Sequence, residues 1–410
     1  MKKQLFYLSF LSILIHTICT AQVVRKFNVI MRSDVGTTTL WDGTQTRIYG
    51  FANSLSSKPT LPAKTLYVNE GDSALVDAFN ASQGTEHTIH FHGIDLPTNY
   101  DGDPLTSPYT LMHLQSLVYK IKATHSGTYV YHCYVDGVAH VQLGMYGLFI
   151  IKAFGGANTA WTGGPIFNKS YNWLLSEIDT VWHNNIPLAG KSRLVPKYKP
   201  NYFLINGESE QQLLTDDSIK IIGAQGESIY LRTANMGYFI NRIIFPPVLN
   251  ATIIDSDGRP LNIAEQNDTI VVMPGERYGI MLHPTNQYTG TVNVEYADMN
   301  TDLVWNTQKI PVSINGFISV KEYEKLNTQI NIYPNPASNI LNVVLKDHEI
   351  SYTDYTIINA FGQVVKQEKL NNNNNTSFYI SVTDLENGIY FIKFTTNNST
   401  SISKKFQIIK

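Results

Sequence analysis

Cysteine is nearly absent from this chain. Its 410 residues include two, Cys19 and Cys133. Cys19 lies in an N-terminal stretch that reads as a secretory signal: Lys2 and Lys3, an apolar run over residues 5–15, then small residues ending at Ala21. Cleavage after Ala21 would leave Cys133 alone, which excludes an intramolecular disulfide framework. The apolar run is too short to span a bilayer, so no membrane span is expected. Charge is also sparse. Charged residues make up 16% of the chain and the net charge is −2, giving no electrostatic reason to expect nucleic acid or an anionic membrane as partner. Histidine is scarce over most of the length: residues 165–319 contain only His183 and His283, and no cysteine.

Against that background one stretch stands apart. Seven of the eleven histidines fall between residues 86 and 147: His87, His90, His92, His113, His125, His132 and His140. The stretch opens with HTIHFHG (residues 87–93) and closes with YHCYVDGVAHVQLGMYG (residues 131–147). Side chains of an extended strand alternate between faces, so residues i and i+2 share a face roughly 7 Å apart. His90 and His92 then point one way and His87 the other. His132 and Cys133 are adjacent and also face opposite ways. Two groups follow. His87 and Cys133 can converge on one side, with His140 and Met145 supplied by the loop and strand start that come next. His90, His92 and His132 can converge on the other. Two imidazoles, a thiolate and a distant thioether form the ligand set of a blue-copper site, and an all-imidazole set suits copper or zinc. His113 and His125 read as ordinary loop histidines, His183 as exposed, and Asp101 and Asp103 as turn formers.

The rest of the chain has an all-β texture. Twenty-four tyrosines accompany short runs of valine, isoleucine and threonine between glycine and proline punctuation. Residues 22–153 form a first unit whose strands are expected at 26–31, 116–122, 128–132 and 145–152, a spacing that suits a Greek-key sandwich. Residues 154–164 are a glycine-rich linker. A second β unit covers residues 165–319 and a small third one residues 326–410. In the third, the asparagine run 371–375 reads as a hairpin loop.

On these motifs the first unit resembles the cupredoxin domains of multicopper oxidases and of copper-containing nitrite reductases: HTIHFHG, DGDP (residues 101–104) and GTYVYHC followed by His140 and GMYG. The resemblance implies that His87, Cys133, His140 and Met145 bind type 1 copper, and that His90, His92 and His132 bind a type 2 or type 2/type 3 copper centre and carry catalysis. It implies an external donor near His140, which lies at the protein surface in these families. That donor would be a small molecule, a metal ion or a small redox protein. Residues 165–319 look like the family's copper-free second domain through LINGE, DSDGRPL and MPGERY. The tail is similar to type IX secretion sorting domains through YPNPASNILNV (residues 333–343), NAFGQVV (359–365), LENGIYFIKF (385–394) and KKFQIIK. The expected fold is therefore two Greek-key cupredoxin sandwiches followed by a small β-sandwich. The expected location is outside, or on the surface of, a Gram-negative-type bacterium.

The sequence departs from these families at defined places. The oxidases' H-C-H element reads H-C-Y here, with Tyr134 where a further cluster histidine would stand. A full trinuclear cluster takes eight histidines in four H-x-H pairs, and this chain offers one pair plus His132. The loop from Cys133 to His140 is two residues longer than in the oxidases. The nitrite reductases place an aspartate where His90 stands, and take a third imidazole from an adjacent subunit of a homotrimer. His183 or His283 is the candidate for that role. Three readings follow: a secreted copper oxidoreductase, a non-catalytic blue-copper carrier, and a nitrite reductase-like enzyme.

Overall fold

A computed structural model describes residues 23–107, 110–185, 196–316, 330–345, 352–360, 363–370, 377–396 and 401–410. The signal stretch 1–21, His348 and the asparagine run 371–375 lie outside the described residues. The chain divides into two compact units, Met1–Gly316 and Phe317–Lys410.

The larger unit holds two sandwiches. The first is built from β1 (Val24–Thr39), β2 (Gln45–Ala52), β3 (Ala63–Asn69), β4 (Ser73–Asn80), β5 (His90–His92), β6 (Ser116–Lys122), β7 (Gly127–His132) and β8 (Tyr146–Lys152). One sheet runs β2-β1-β4-β6 and the other β3-β8-β7-β5. Alternation drives the pairing. β4 reads Ser-Ala-Leu-Val-Asp-Ala-Phe-Asn and buries Ala74, Val76 and Ala78 completely, while Asp77 points out. Between the sheets lies an aromatic core: Phe91 packs on Tyr119 at 5.5 Å and on Phe149 at 5.6 Å, and Phe51 on Tyr131 at 5.4 Å. Each such ring contributes about 2–3 kcal/mol by leaving water.

The second sandwich continues with β9 (Lys169–Ile178), β10 (Tyr202–Ile205), β11 (Ile221–Ala224), β12 (Ile229–Asn235), β13 (Ile240–Ile244), β14 (Thr252–Ser256), β15 (Arg259–Gln266), β16 (Thr269–Val272), β17 (Arg277–Leu282), β18 (Tyr288–Ala297) and β19 (Val304–Asn315). Its sheets are ordered β10-β9-β12-β17-β14-β15 and β11-β19-β18-β13-β16. The two sandwiches share an apolar seam in which Val130, Leu148 and Ile150 meet Leu174, Ala234 and Met236. Bare backbone lets them approach: a Cβ on Gly127 would stand 2.6 Å from the Cα of Gly258. The glycine-rich stretch 154–164 is folded onto the first sandwich, where Thr162 donates to Glu70 Oε2 at 2.9 Å and receives the Phe154 N–H.

The smaller unit pairs β20 (Ile330–Tyr333), β21 (Ile340–Leu345) and β24 (Ser377–Ser381) in one sheet. Its other sheet is formed by β22 (Tyr352–Asn359), β23 (Val364–Lys369), β25 (Gly388–Thr396) and β26 (Ser401–Ile408). Leu341, Val343, Ile357, Phe394 and Phe406 fill its core. The fold class is all-β, with sandwiches throughout. Among the described residues no helix is long and apolar enough to cross a membrane.

Candidate metal centres

Strand β7 separates two clusters of ligand atoms. His90 lies directly opposite His132 in the antiparallel β5–β7 pair, and His92 opposite Val130. Opposed residues share a face, so His90, His92 and His132 emerge together while Phe91 and Tyr131 enter the core. Extended structure stops short of His87, which forms only an isolated bridge with Leu111. A hydrogen bond to Ser82 Oγ at 3.0 Å engages the Nε2 atom of His87. That leaves Nδ1 facing the sulfur.

The first cluster is His87, Cys133 and His140, whose ligand atoms lie within 4.8 Å of one another. The Sγ of Cys133 stands 3.5 Å from His87 Nδ1 and 3.3 Å from His140 Nδ1. Cys133 and His87 are fully buried and His140 is 3% exposed. Met145 is fully buried in the same core, and its carbonyl accepts the Cys133 N–H at 3.0 Å. His140 does not sit on a loop. It belongs to a short helix, α1 (Gly137–Gln142), entered through a left-handed Asp136 whose carbonyl accepts the Ala139 and His140 N–H groups. The two extra residues of this segment give the chain enough length to wind that turn.

Burial sets the protonation of the pocket. It pushes His140 down to about 4 and His87 well below the ordinary imidazole value, and pushes the Cys133 thiol up to about 12. Two neutral imidazoles and a thiol in a dry pocket suit a soft, thiophilic ion, which would take the proton's place on sulfur. The donor set fits type 1 copper.

The second cluster is His90, His92 and His132, again with ligand atoms within 4.8 Å. His90 Nδ1 donates to the carbonyl of Asp101 at 2.7 Å, with the Asp101 carboxylate at 3.3 Å. His132 Nδ1 donates to the carbonyl of Cys133 at 2.9 Å. Both bonds fix the tautomer and leave Nε2 free to bind. Burial pushes His92 and His132 down, to about 4 and about 3, so both are neutral bases at neutral pH. The Asp101-Gly102 turn has a tighter role than ordinary turn chemistry. Gly102 adopts φ +76° and lies so close that a Cβ would stand 2.0 Å from the Ile89 carbonyl, which presses Asp101 against His90. Spacing in the sequence could not reveal that contact.

Unlike the first, this cluster opens onto a cleft of about 230 Å³. Its far wall is the second sandwich: Met236, Gly237, Tyr238, Pro274 and Gly275. Sequence reasoning missed this wall, because β-turn signals such as MPGERY do not announce a cavity. Tyr134 stacks on His90 with centroids 5.1 Å apart and stands 5.8 Å from His132, 44% exposed at the mouth.

Other expectations change. His140 is buried rather than near the surface, because the Tyr49 ring covers it at 5.4 Å and the second sandwich packs behind α1. His183 is fully buried, with Nδ1 against the Arg47 carbonyl and Nε2 against the Gln142 carbonyl. It has no free nitrogen for a neighbouring subunit. His283 is exposed, its Nδ1 3.3 Å from Ser228 Oγ. His113 and His125 are exposed, as expected.

Comparison with known proteins places the fold. A family model described as "Multicopper oxidase" matches residues 37–154, and one described as "Secretion system C-terminal sorting domain" matches residues 331–410. The iron transport multicopper oxidase FET3 of Saccharomyces cerevisiae is 25% identical over 61% of this chain, which spans 37% of that relative's length. Among solved structures, a blue copper oxidase from Nitrosomonas europaea superposes with a TM-score of 0.57 at 25% identity, covering 72% of this chain and 86% of that one. A copper nitrite reductase from the same organism shares the fold, with a TM-score of 0.52 at 16% identity over 71% of this chain and 94% of that one. Residues 37–154 thus carry the match to a multicopper oxidase domain, on a cupredoxin fold whose two side-chain clusters could hold copper, and residues 331–410 carry the match to a sorting domain, which points to a secreted or cell-surface protein.

Proposed function

We propose that this chain is a secreted copper-dependent oxidoreductase of two-domain type. His87, Cys133 and His140, with Met145, would hold a type 1 copper. His90, His92 and His132 would hold a second copper, of type 2 or type 2/3 kind. Bound there, copper supplies reversible one-electron transfer between a donor and an oxidant. The donor is a small molecule, a metal ion or a small redox protein; the FET3 relative is named for iron transport.

The observation that carries this reading is adjacency. Cys133 and His132 are consecutive, face opposite sides of β7, and are linked a second time by the bond from His132 Nδ1 to the Cys133 carbonyl. The two centres are joined through a few covalent bonds. The first pocket excludes water. The second admits small molecules through the cleft, and Asp101, beside His90 and part-exposed, can exchange protons with solvent.

A nitrite reductase-like homotrimer would take one imidazole from a neighbouring subunit. His90 already supplies a third imidazole within this chain, which favours a centre complete in one subunit. The division proposed for the chain is a signal at 1–21, a copper-binding domain at 22–153, a copper-free domain at 165–319 and a sorting domain at 326–410. The sorting tail would act in export by a Gram-negative-type bacterium.

Metal analysis with electron paramagnetic resonance on the copper-loaded protein tests the reading. Two or more coppers, a type 1 and a type 2 signal, and dioxygen consumption with phenol or ferrous iron are expected. One copper per chain with only a type 1 signal would make it a carrier. Two with nitrite turnover would make it a nitrite reductase.

A further inference from the structure

One buried histidine outside both clusters has no part in the proposed chemistry. His183 lies in α2 (Thr180–Asn185), directly after β9, and is fully buried. Burial favours its neutral form and pushes it toward about 4, against a smaller upward pull from its two hydrogen bonds. The contacts pull the other way. Nδ1 stands 2.6 Å from the carbonyl oxygen of Arg47, and Nε2 stands 2.9 Å from that of Gln142. A carbonyl can only accept, and a neutral imidazole carries one N–H. A neutral ring would press one nitrogen lone pair against a carbonyl lone pair in a buried site, which costs on the order of 1–3 kcal/mol for the unmade bond alone. A ring that donates to both carbonyls would be an imidazolium.

The charged groups that face the ring are Asp179, on its own segment, and Arg47 on β2; α1 contributes the uncharged Gln142. Asp179 is buried and favours the cation. The Arg47 guanidinium opposes it, while its Nε donates to the His183 carbonyl at 2.8 Å.

Both acceptor carbonyls belong to elements beside His140, the helix α1 and the strand β2. Gln142 ends α1, two residues beyond His140. Arg47 lies on β2, two residues before Tyr49, whose ring covers His140. Gln142 is fastened further from the second sandwich. Its Nε2 donates to the Glu177 carbonyl at 3.1 Å and lies 2.8 Å from Tyr198 Oη, and its Oε1 accepts the Asp179 N–H at 3.2 Å.

We propose that His183 is a positioning residue for the His87–Cys133–His140 centre: its doubly protonated ring bridges the Arg47 and Gln142 carbonyls and so sets the angle at which His140 presents Nδ1 to the sulfur. It touches no ligand and acts only through the backbone on either side of His140. The copper arm of the test rests on the metal reading given above; the ring arm does not.

Nitrogen-15 NMR of the metal-free full chain at neutral pH reads the ring directly. Both His183 nitrogens are expected to carry protons, and a single-tautomer neutral ring would overturn the proposal whether or not the chain takes up copper. His183→Gln, which offers one donor atom in place of two, is expected to move the His140 ring resonances while leaving those of His90 and His92 in place. In the copper-loaded protein the same change is expected to shift the visible band, the copper hyperfine splitting and the reduction potential together. A folded His183→Gln with wild-type His140 resonances, colour and potential would sink the idea. If that variant fails to fold, the wild-type ring measurement alone decides.

Discussion

The pocket of His87, Cys133 and His140 is closed, and the cleft of His90, His92 and His132 is open, although the two begin one residue apart at the end of β7. In the first, every ligand atom is shielded, one donor is a thiol, and both ring Nδ1 atoms point inward at sulfur. In the second, all donors are imidazoles, two are anchored through Nδ1, and a second-sandwich wall stands across a gap. The difference teaches how one strand serves two tasks. Adjacent residues take opposite faces, so a dry centre that only exchanges electrons and a wet one that meets a substrate can share a backbone.

The largest expected break in this contrast is Cys133→Ser. The hydroxyl has the wrong softness for the ion, so the intense visible colour should vanish while copper at the imidazole cluster and its resonance signal remain. Loss of both signals would mean that the two sites are not separate. His92→Ala probes the other side. It leaves two imidazoles, fewer than a copper site needs, so copper per chain should fall while the blue colour stays, as metal analysis and absorbance together would show.

Acid and alkali should separate the imidazoles from the thiol in the metal-free protein. The histidines are held below their unfolded value near 6.5, so they favour folding above it and oppose folding as pH falls toward about 4 for His92 and His140 and about 3 for His132. Cys133 is raised from 9.0 to about 12, so its contribution is full below 9 and is lost as pH rises toward 12. From these groups melting temperature should be level between about pH 6.5 and 9 and decline on both sides, while buried Glu177, held up at about 7, pulls the other way on the acid side. In Cys133→Ser only the alkaline decline should weaken. Smaller again is Met145→Leu. It keeps the buried apolar volume and removes the thioether that would complete the ligand set, so the potential of the blue centre should rise without loss of metal, as a redox titration would read.

Much of this contrast was legible in the residues. The parity of His87, His90, His92, His132 and Cys133 assigns each to a face before any coordinates are seen, because a strand has a fixed two-residue repeat. The strand at 116–122 was placed to the residue for the same reason. What the spacing could not supply lies across the sandwich seam. The burial of His140 depends on Tyr49 and on the contacts of Gln142 with Glu177 and Tyr198, residues that are 35 or more positions away in sequence. His183 read as exposed because a lone histidine before two asparagines looks like surface; tertiary contacts with Arg47 and Gln142 reverse that. The short helix α1 was missed because six residues carry too little periodicity to separate a helical turn from a loop.

Tyr134→His is the smallest change expected and the sharpest. Tyr134 already stands where the oxidases' H-C-H element has its last histidine, with its ring on His90 and near His132. Its face-on stack presents π density to the cluster, whereas an imidazole there would present a nitrogen lone pair. If the open centre is an oxidase site short of one ligand, the substitution should raise copper bound per chain and the rate of dioxygen consumption, while the blue band stays unchanged because Cys133 and its partners face the other way. If the phenol instead serves the native reaction, copper at the cluster should still rise and turnover should fall. The two outcomes differ only in the sign of the rate change, so a single oxygen-electrode measurement beside a metal count tells whether the open side is a weakened oxidase centre or one built around a tyrosine.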